Sequence, residues 1–304
     1  MSELVEAYLP ERLLDDVGLA LPDHGSNLKF VFGFHQFPAD LPETVEGQVG
    51  NPDLLLFEQV NHVPGFDDVF NRVTAMNTTD FAEAETMLGG LHWLIARQAQ
   101  LVRNTDPKRV GIADLPFGHP VAGPMADILL NSENKLRQKL TMSRSATQMV
   151  ARTRQQLEKE LAVHAAREVY MAESIYQQIG ALATELDRPI EATFLVGADH
   201  ICLPELLKRK VEDMGLSDRH TVEHETVAEA MPLHPLAAIR RSYYEGEQIT
   251  DNQIARYVIR VTTPAIHMDT YAETLAVHEQ MINDMTGGVD TPEDLARVFQ
   301  ISLG

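Results

Sequence analysis

Five short apolar runs, each ending in polar, Gly or Pro positions, punctuate the chain. They are LKFVFGFHQF (28–37), DLLLFEQV (53–60), RVGIADLPFG (109–118), ATFLVGADH (192–200) and RYVIRVTTP (256–264). Val, Leu, Ile and Phe crowd them without strict alternation, which predicts strands buried on both faces, as in a parallel sheet covered by helices. Between them lie helical patterns. The stretch 80–104 sets Met87, Leu91, Leu94 and Ile95 near helical spacing. From Met125 to Leu186 there is no Pro and only Gly180, which predicts two or more helices with exposed Lys, Arg and Glu. The class is α/β: a central, largely parallel sheet flanked by helices, with a long helical insertion at about 125–186, in one domain over 1–304. The Pro- and His-rich AMPLHPL (230–236) is the best candidate for a break between lobes.

In an open α/β sheet, ligands gather beyond the carboxyl ends of the strands, where loops converge and helix N-termini present unbonded N–H groups. Followed to its end, the first run reaches His35, the second Glu58, the third Asp114, and the fourth Asp199 and His200. One such residue alone is ordinary capping or turn chemistry. Four strands delivering ionisable groups to one edge predict a shared polar site, with Asp199 as a cap or orienting group and His200 in the site itself.

Composition narrows the partners. The 304 residues are 44% hydrophobic, as expected of a chain with a globular core. Asp and Glu number 45 against 25 Lys and Arg, a formal charge of −20. A field of that sign repels phosphate backbones and anionic lipid and favours cations near any cleft. Nucleic acid and membranes are therefore not expected partners; a small molecule or peptide is. Cys202 is the only cysteine, so no intramolecular disulfide forms. Glu3, Glu6, Glu11 and Arg12 stand where a signal peptide needs a basic start and an apolar stretch. No window reaches the ~18–20 apolar residues of a membrane span, and the expected compartment is the cytoplasm. A Gly-rich phosphate loop and a GxSxG are both missing, which disfavours nucleotide enzymes and the commonest serine hydrolases.

The order of motifs carries a resemblance. Gly33 to His35 in FGFH, Asp53 to Glu58 in PDLLLFE, Asp114 in IADLPFG, Arg167 to Ala172 in REVYMA and Gly197 to His200 in VGADH follow one another over about residues 28–215. In that order they resemble the TraB/PrgY/Tiki branch of the EreA/ChaN-like superfamily, where a GxxH strand end precedes a PD…E strand, an ERD…MA helix and a VGxxH strand end. Here the first motif is one residue shorter, Ala166-Arg167-Glu168 stands for ERD, and Leu115 follows Asp114 where an Arg is frequent. The resemblance implies one EreA/ChaN-like domain with a pocket of two histidines, carboxylates and an arginine. Tiki-like members are regarded as metal-dependent peptidases, EreA-like relatives hydrolyse an ester, ChaN-like ones bind haem, and TraB and PrgY are linked to inhibition of peptide pheromones. A fold alone does not choose among these.

Two neutral imidazoles with one or two carboxylates suit Mn, Co, Fe or Zn and leave positions open for water. An ion so held lowers the pKa of its water toward ~7, making a hydroxide able to attack a peptide or ester carbonyl. His35, His200 and Glu58 are the expected ligands of a divalent Mn, Co or Zn. Glu58 alternatively accepts the water proton, and Asp114 either ligates or orients a histidine. Arg167, inward on the family pattern, is the expected electrophile for a substrate carboxylate or an oxyanion. Glu168, ~100° further round the helix, is expected to face elsewhere. The expected function is a metal-dependent peptidase- or esterase-like hydrolase with Glu58, Asp114 and Arg167 catalytic. The alternative, favoured by the shortened first motif, is a non-catalytic relative that sequesters a peptide or cofactor. His220 and His224 have i, i+4 spacing outside an HExxH frame, so an exposed polar helix face explains them. His119, before Pro, reads as loop chemistry and Cys202 as a small buried apolar group.

Overall fold

The computed structural model describes residues 19–33, 47–58, 98, 101–116, 118–197, 200, 202–226, 235–263, 271–287 and 291–304. Within them, β1 (Ser26–Gly33), β2 (Leu54–Phe57), β3 (Arg109–Ile112), β4 (Ile190–Gly197) and β5 (His220–Thr226) form a sheet in the order β3-β2-β4-β1-β5. Every registered pair is parallel. The helices are α1 (Ala122–Met142), α2 (Ala146–Leu186), α3 (Leu203–Asp213), α4 (Pro235–Tyr244), α5 (Asp251–Thr262), α6 (Tyr271–Thr286) and α7 (Pro292–Phe299). The α/β class and the long mid-chain helix are as expected. No described helix is long and apolar enough to cross a membrane.

Both faces of the central strands are buried, which is why their sequences run apolar without alternating. Phe30, Phe32, Leu54, Leu56, Phe194 and Val196 pack on one face against Val169, Ala172, Ile175 and Ile179 of α2 and Leu203 and Leu207 of α3. Val31, Leu55, Phe57 and Leu195 point the other way, onto Val49 and Leu101. At β3, Gly111 lets α2 come close: a Cβ there would collide with the Gln178 side chain, whose Nε2 donates to Ile112 O at 2.9 Å.

At 41 residues, α2 is roughly 60 Å long and serves two cores. Ser145 caps its start by accepting from Gln148 N–H at 3.1 Å. Its first half, through Met149, Leu157 and Leu161, packs with Leu136 of α1, Val258 of α5 and Leu295 of α7. Its second half lies on the sheet. Arg167 and Glu168 sit at the changeover.

Two expectations are corrected. Residues 256–262 of RYVIRVTTP are not a strand but belong to α5: Thr250 and Gln253 form a reciprocal capping box, and Ile254, Val258 and Thr262 recur every four residues on the buried side. A short apolar run is compatible with either state until its caps are weighed. Conversely, His220 and His224 lie not on a helix but on β5, a strand at the sheet edge. Its outward Glu223 and Glu225 are typical of an edge kept from pairing further, and Glu225 meets Lys29 at 2.8 Å. His220 is buried instead, its Nδ1 2.9 Å from Ser26 Oγ. The predicted helix at 80–104 lies largely outside the described residues, as does most of 230–236.

Candidate functional site

Sheet register decides what meets at the carboxyl edge. Phe57 pairs with Ile112 on one side and Leu195 on the other. The ladder extends one step further, with Glu58 N–H donating to Leu195 O at 3.0 Å and Ala113 N–H to Phe57 O at 3.1 Å. Glu58 and Asp114 therefore leave neighbouring strands at nearly the same level, and β4 ends beside them at Gly197. Its N–H donates to Glu58 Oε2 at 2.6 Å. His200 follows three residues later.

Arg167 of α2 joins the two carboxylates. Its Nε and Nη2 donate to the two oxygens of Asp114 at 2.9 and 2.6 Å, and Nη2 also reaches Glu58 Oε1 at 2.7 Å. That same oxygen is 3.1 Å from His200 Nε2, while His200 Nδ1 is 3.1 Å from Glu168 Oε1. Behind Glu168 stands Arg240 of α4, its Nη1 3.6 Å from Oε1 and its Nη2 donating to the His164 ring at 2.7 Å. Arg167, Glu168, His200 and Arg240 are at most 2% exposed. Glu58, 11% exposed at its side chain, is the most open member.

Electrostatics follow from this packing. Three carboxylates face two guanidiniums, so a protonated His200 brings the cluster to neutrality. Burial alone pulls the His200 imidazole down, but Glu58, aided by the hydrogen bonds to Glu168 and Glu58, outweighs it, and the net shift is upward. His164 goes the other way, held well below its ordinary value by burial and then by Arg240. Arg167, despite desolvation, is held even more firmly protonated by Asp114 and Glu58. Burial, reinforced by Glu168, raises the Tyr244 phenol well above its usual value.

Of the expected site residues, Glu58, Asp114, Arg167 and His200 converge; His35 and Asp199 lie outside the described residues. Among the described residues Asp114 meets no histidine: Arg167 binds both its oxygens and Leu115 N–H also bonds Oδ1 at 2.7 Å. Arg167 is the counter-ion of two carboxylates rather than an open anion-binding electrophile. The geometric expectation for Glu168 also fails: residues ~100° apart both reach the cluster because it wraps around α2, with Asp114 on one flank and His200 on the other. His119 packs its ring 5.0 Å from Tyr170 and accepts from Val121 N–H at 3.3 Å, the loop role expected of it. Cys202 is buried, its thiol pushed up to about 12 chiefly by burial, which leaves no thiolate for nucleophilic chemistry near neutral pH.

His200 Nε2 and Glu58 Oε1 meet as a hydrogen-bonded pair, the oxygen also accepting from Arg167 Nη2. Two donors each ~2.0–2.2 Å from one ion are separated by about 3 Å, the spacing between His200 Nε2 and Glu58 Oε1. With Nδ1 facing Glu168, only loss of the Nε2 proton, which the raised His200 value opposes, would leave Nε2 to ligate. The described residues contain no group of three or more such donors arranged around one point. Comparison with family models, curated proteins and solved structures gives no match for this chain.

Sequence reasoning turned Glu168 away from the site and gave no role to His164 or Arg240. A signal existed for the first two. The buried stripe of α2 runs Leu157, Leu161, His164, Glu168, Ala172, Ile175, Ile179, and ionisable residues on an apolar stripe mark a buried polar network. Arg240 carries no such mark in its local sequence.

Proposed function

We propose that the strand-end cluster is the centre of a hydrolase acting on a peptide or ester carbonyl with the help of a divalent ion. The observation that carries this reading is the meeting of Glu58, Arg167, Glu168 and His200 at one sheet edge, in the motif order of the TraB/PrgY/Tiki resemblance. His200 Nε2 and Glu58 would hold Mn, Co or Zn together with His35. When bound, the ion supplies Lewis acidity toward the carbonyl oxygen and acidifies water. Glu168 keeps the His200 tautomer. Arg167 steadies the Glu58 carboxylate, whose Oε1 it shares with His200 and whose Oε2 accepts from Gly197 N–H. The compact burial excludes bulk water from the polar groups, which strengthens each of these interactions.

A second reading is a pocket that binds a peptide or cofactor without turnover. It is favoured by the sealing of Arg167 and His200, neither more than 2% exposed.

Metal content of the purified protein, followed by titration with Mn, Co and Zn, separates the two. Stoichiometric binding is expected, lost in His200→Ala and His35→Ala. Because the proton and the ion compete for His200 Nε2, affinity should fall as pH drops through the raised His200 value. A folded chain that takes up none of the three ions overturns the hydrolase reading in favour of the second.

A further inference from the structure

Away from the sheet edge, α1 and α2 diverge to leave a groove of about 590 Å³, within the ~300–1,000 Å³ range of small-molecule sites. Ile128, Met142 and Val163 supply apolar lining, and Lys135, Lys139, Arg152 and Lys159 bring cations to it. Two acids also line it, but each is already engaged. Asp127 meets Lys135 at 2.5 Å, and Glu160 accepts from Ser132 Oγ at 3.0 Å and Gln156 Nε2 at 2.6 Å. Lys139, Arg152 and Lys159 form no ion pair with a carboxylate among the described residues. Arg152 instead donates to Met142 O at 2.8 Å.

In a chain with a formal charge of −20, the long-range field opposes anions, so an anion binds only where cations gather locally. This groove is such a place, and its apolar lining requires more than an inorganic ion to fill it. We propose that the α1–α2 groove binds a small organic anion with an apolar body, its charged group among Lys139, Arg152 and Lys159 and its body against Ile128, Met142 and Val163. The proposal stands independently of any chemistry at the strand ends.

Two dyes that share one body test it on the full chain. 8-Anilinonaphthalene-1-sulfonate carries a sulfonate, an N–H and an aromatic body; N-phenyl-1-naphthylamine is the same body without the charge. Fluorescence titration is expected to show one saturable sulfonate site, with the neutral dye at least about tenfold weaker. The Lys139→Glu/Lys159→Glu variant should weaken the sulfonate dye by about tenfold or more and leave the neutral dye unchanged. Circular dichroism and melting confirm that the variant is folded; Lys139→Gln/Lys159→Gln, with a smaller loss in the same direction, serves if charge reversal perturbs the helices. Equal affinity for the two dyes, no saturable site, or binding indifferent to the lysine substitutions overturns the proposal.

Discussion

The two edges of the sheet each carry an Asp–Arg fork, and they do different things. At the amino edge, Arg188 grips Asp53 through Nη1 and Nη2 at 2.8 and 2.6 Å, and Glu191 N–H adds a third bond at 3.1 Å. At the carboxyl edge, Arg167 grips Asp114 with nearly the same distances. Arg188 is 47% exposed at its side chain, whereas Arg167 is 3% and Asp114 wholly buried. Water competes with the first fork and shares its charge. The second is shut away and must be balanced by protein, which is why it recruits Glu58, His200, Glu168 and Arg240 into one connected network. Identical pair chemistry thus gives a staple at one edge and a tuned site at the other.

The largest expected effect comes from Arg167→Ala, which leaves Asp114 and Glu58 buried without their cation. Stability in urea should fall by about 3–5 kcal/mol. A loss no greater than that of Arg188→Ala would erase the distinction between the edges.

Next in size is the pH response of the cluster. His200 has a raised native value, so its contribution is complete below about 6.5 and is lost as pH rises through that native value. His164 has a lowered one, so its contribution is complete above about 6.5 and is lost as pH falls through it. Unfolding free energy measured against pH should therefore bend down on both sides, with His200→Gln removing the alkaline bend and His164→Gln the acid one. Glu168→Gln should lower the His200 titration midpoint seen by NMR; an unmoved midpoint would mean that Glu168 does not govern this imidazole.

Cys202 offers a smaller readout. With its thiol at about 12 and buried, a disulfide reagent at pH 8 should leave it unmodified in the native chain and modify it rapidly in urea. Fast labelling of the folded protein would show that the region behind Glu168 opens. The smallest effect belongs to Arg188→Ala. Its visible trace should be acid sensitivity: Arg188, against some opposing burial, holds the Asp53 carboxyl below its usual range, and that contribution is present at neutral pH and lost as pH falls through the native value. The variant should flatten this acid slope, being slightly less stable than the parent at pH 7 and no different once pH falls below the native Asp53 value.

Much of this was legible in the chain. Continuous apolar runs announced β1, β2 and β4, which are covered on both faces and need no polar alternation, and also the half-buried edge strand β3; following β2, β3 and β4 to their ends reached Glu58, Asp114 and His200. The same reasoning misjudged 256–264, where capping residues outside the apolar run decide for helix, and 220–226, where an edge strand is too polar to resemble the others. Glu168 was set aside by a rule about a single helix, although its place on the α2 apolar stripe marked it.

Local sequence by itself determined the elements, the apolar faces and the supply of ionisable residues at strand ends, because periodicity, caps and hydropathy act over a few residues. Partnership belonged to the tertiary structure. Parallel register brought Glu58, Asp114 and Gly197 to one level, the passage of α2 across the sheet set Arg167 and Glu168 on two flanks of the same cluster, and α4 delivered Arg240 from over forty residues beyond β4. Only that assembly fixed which charges are buried together, and burial, by removing water as a competitor, is what separates the site at one edge from the staple at the other.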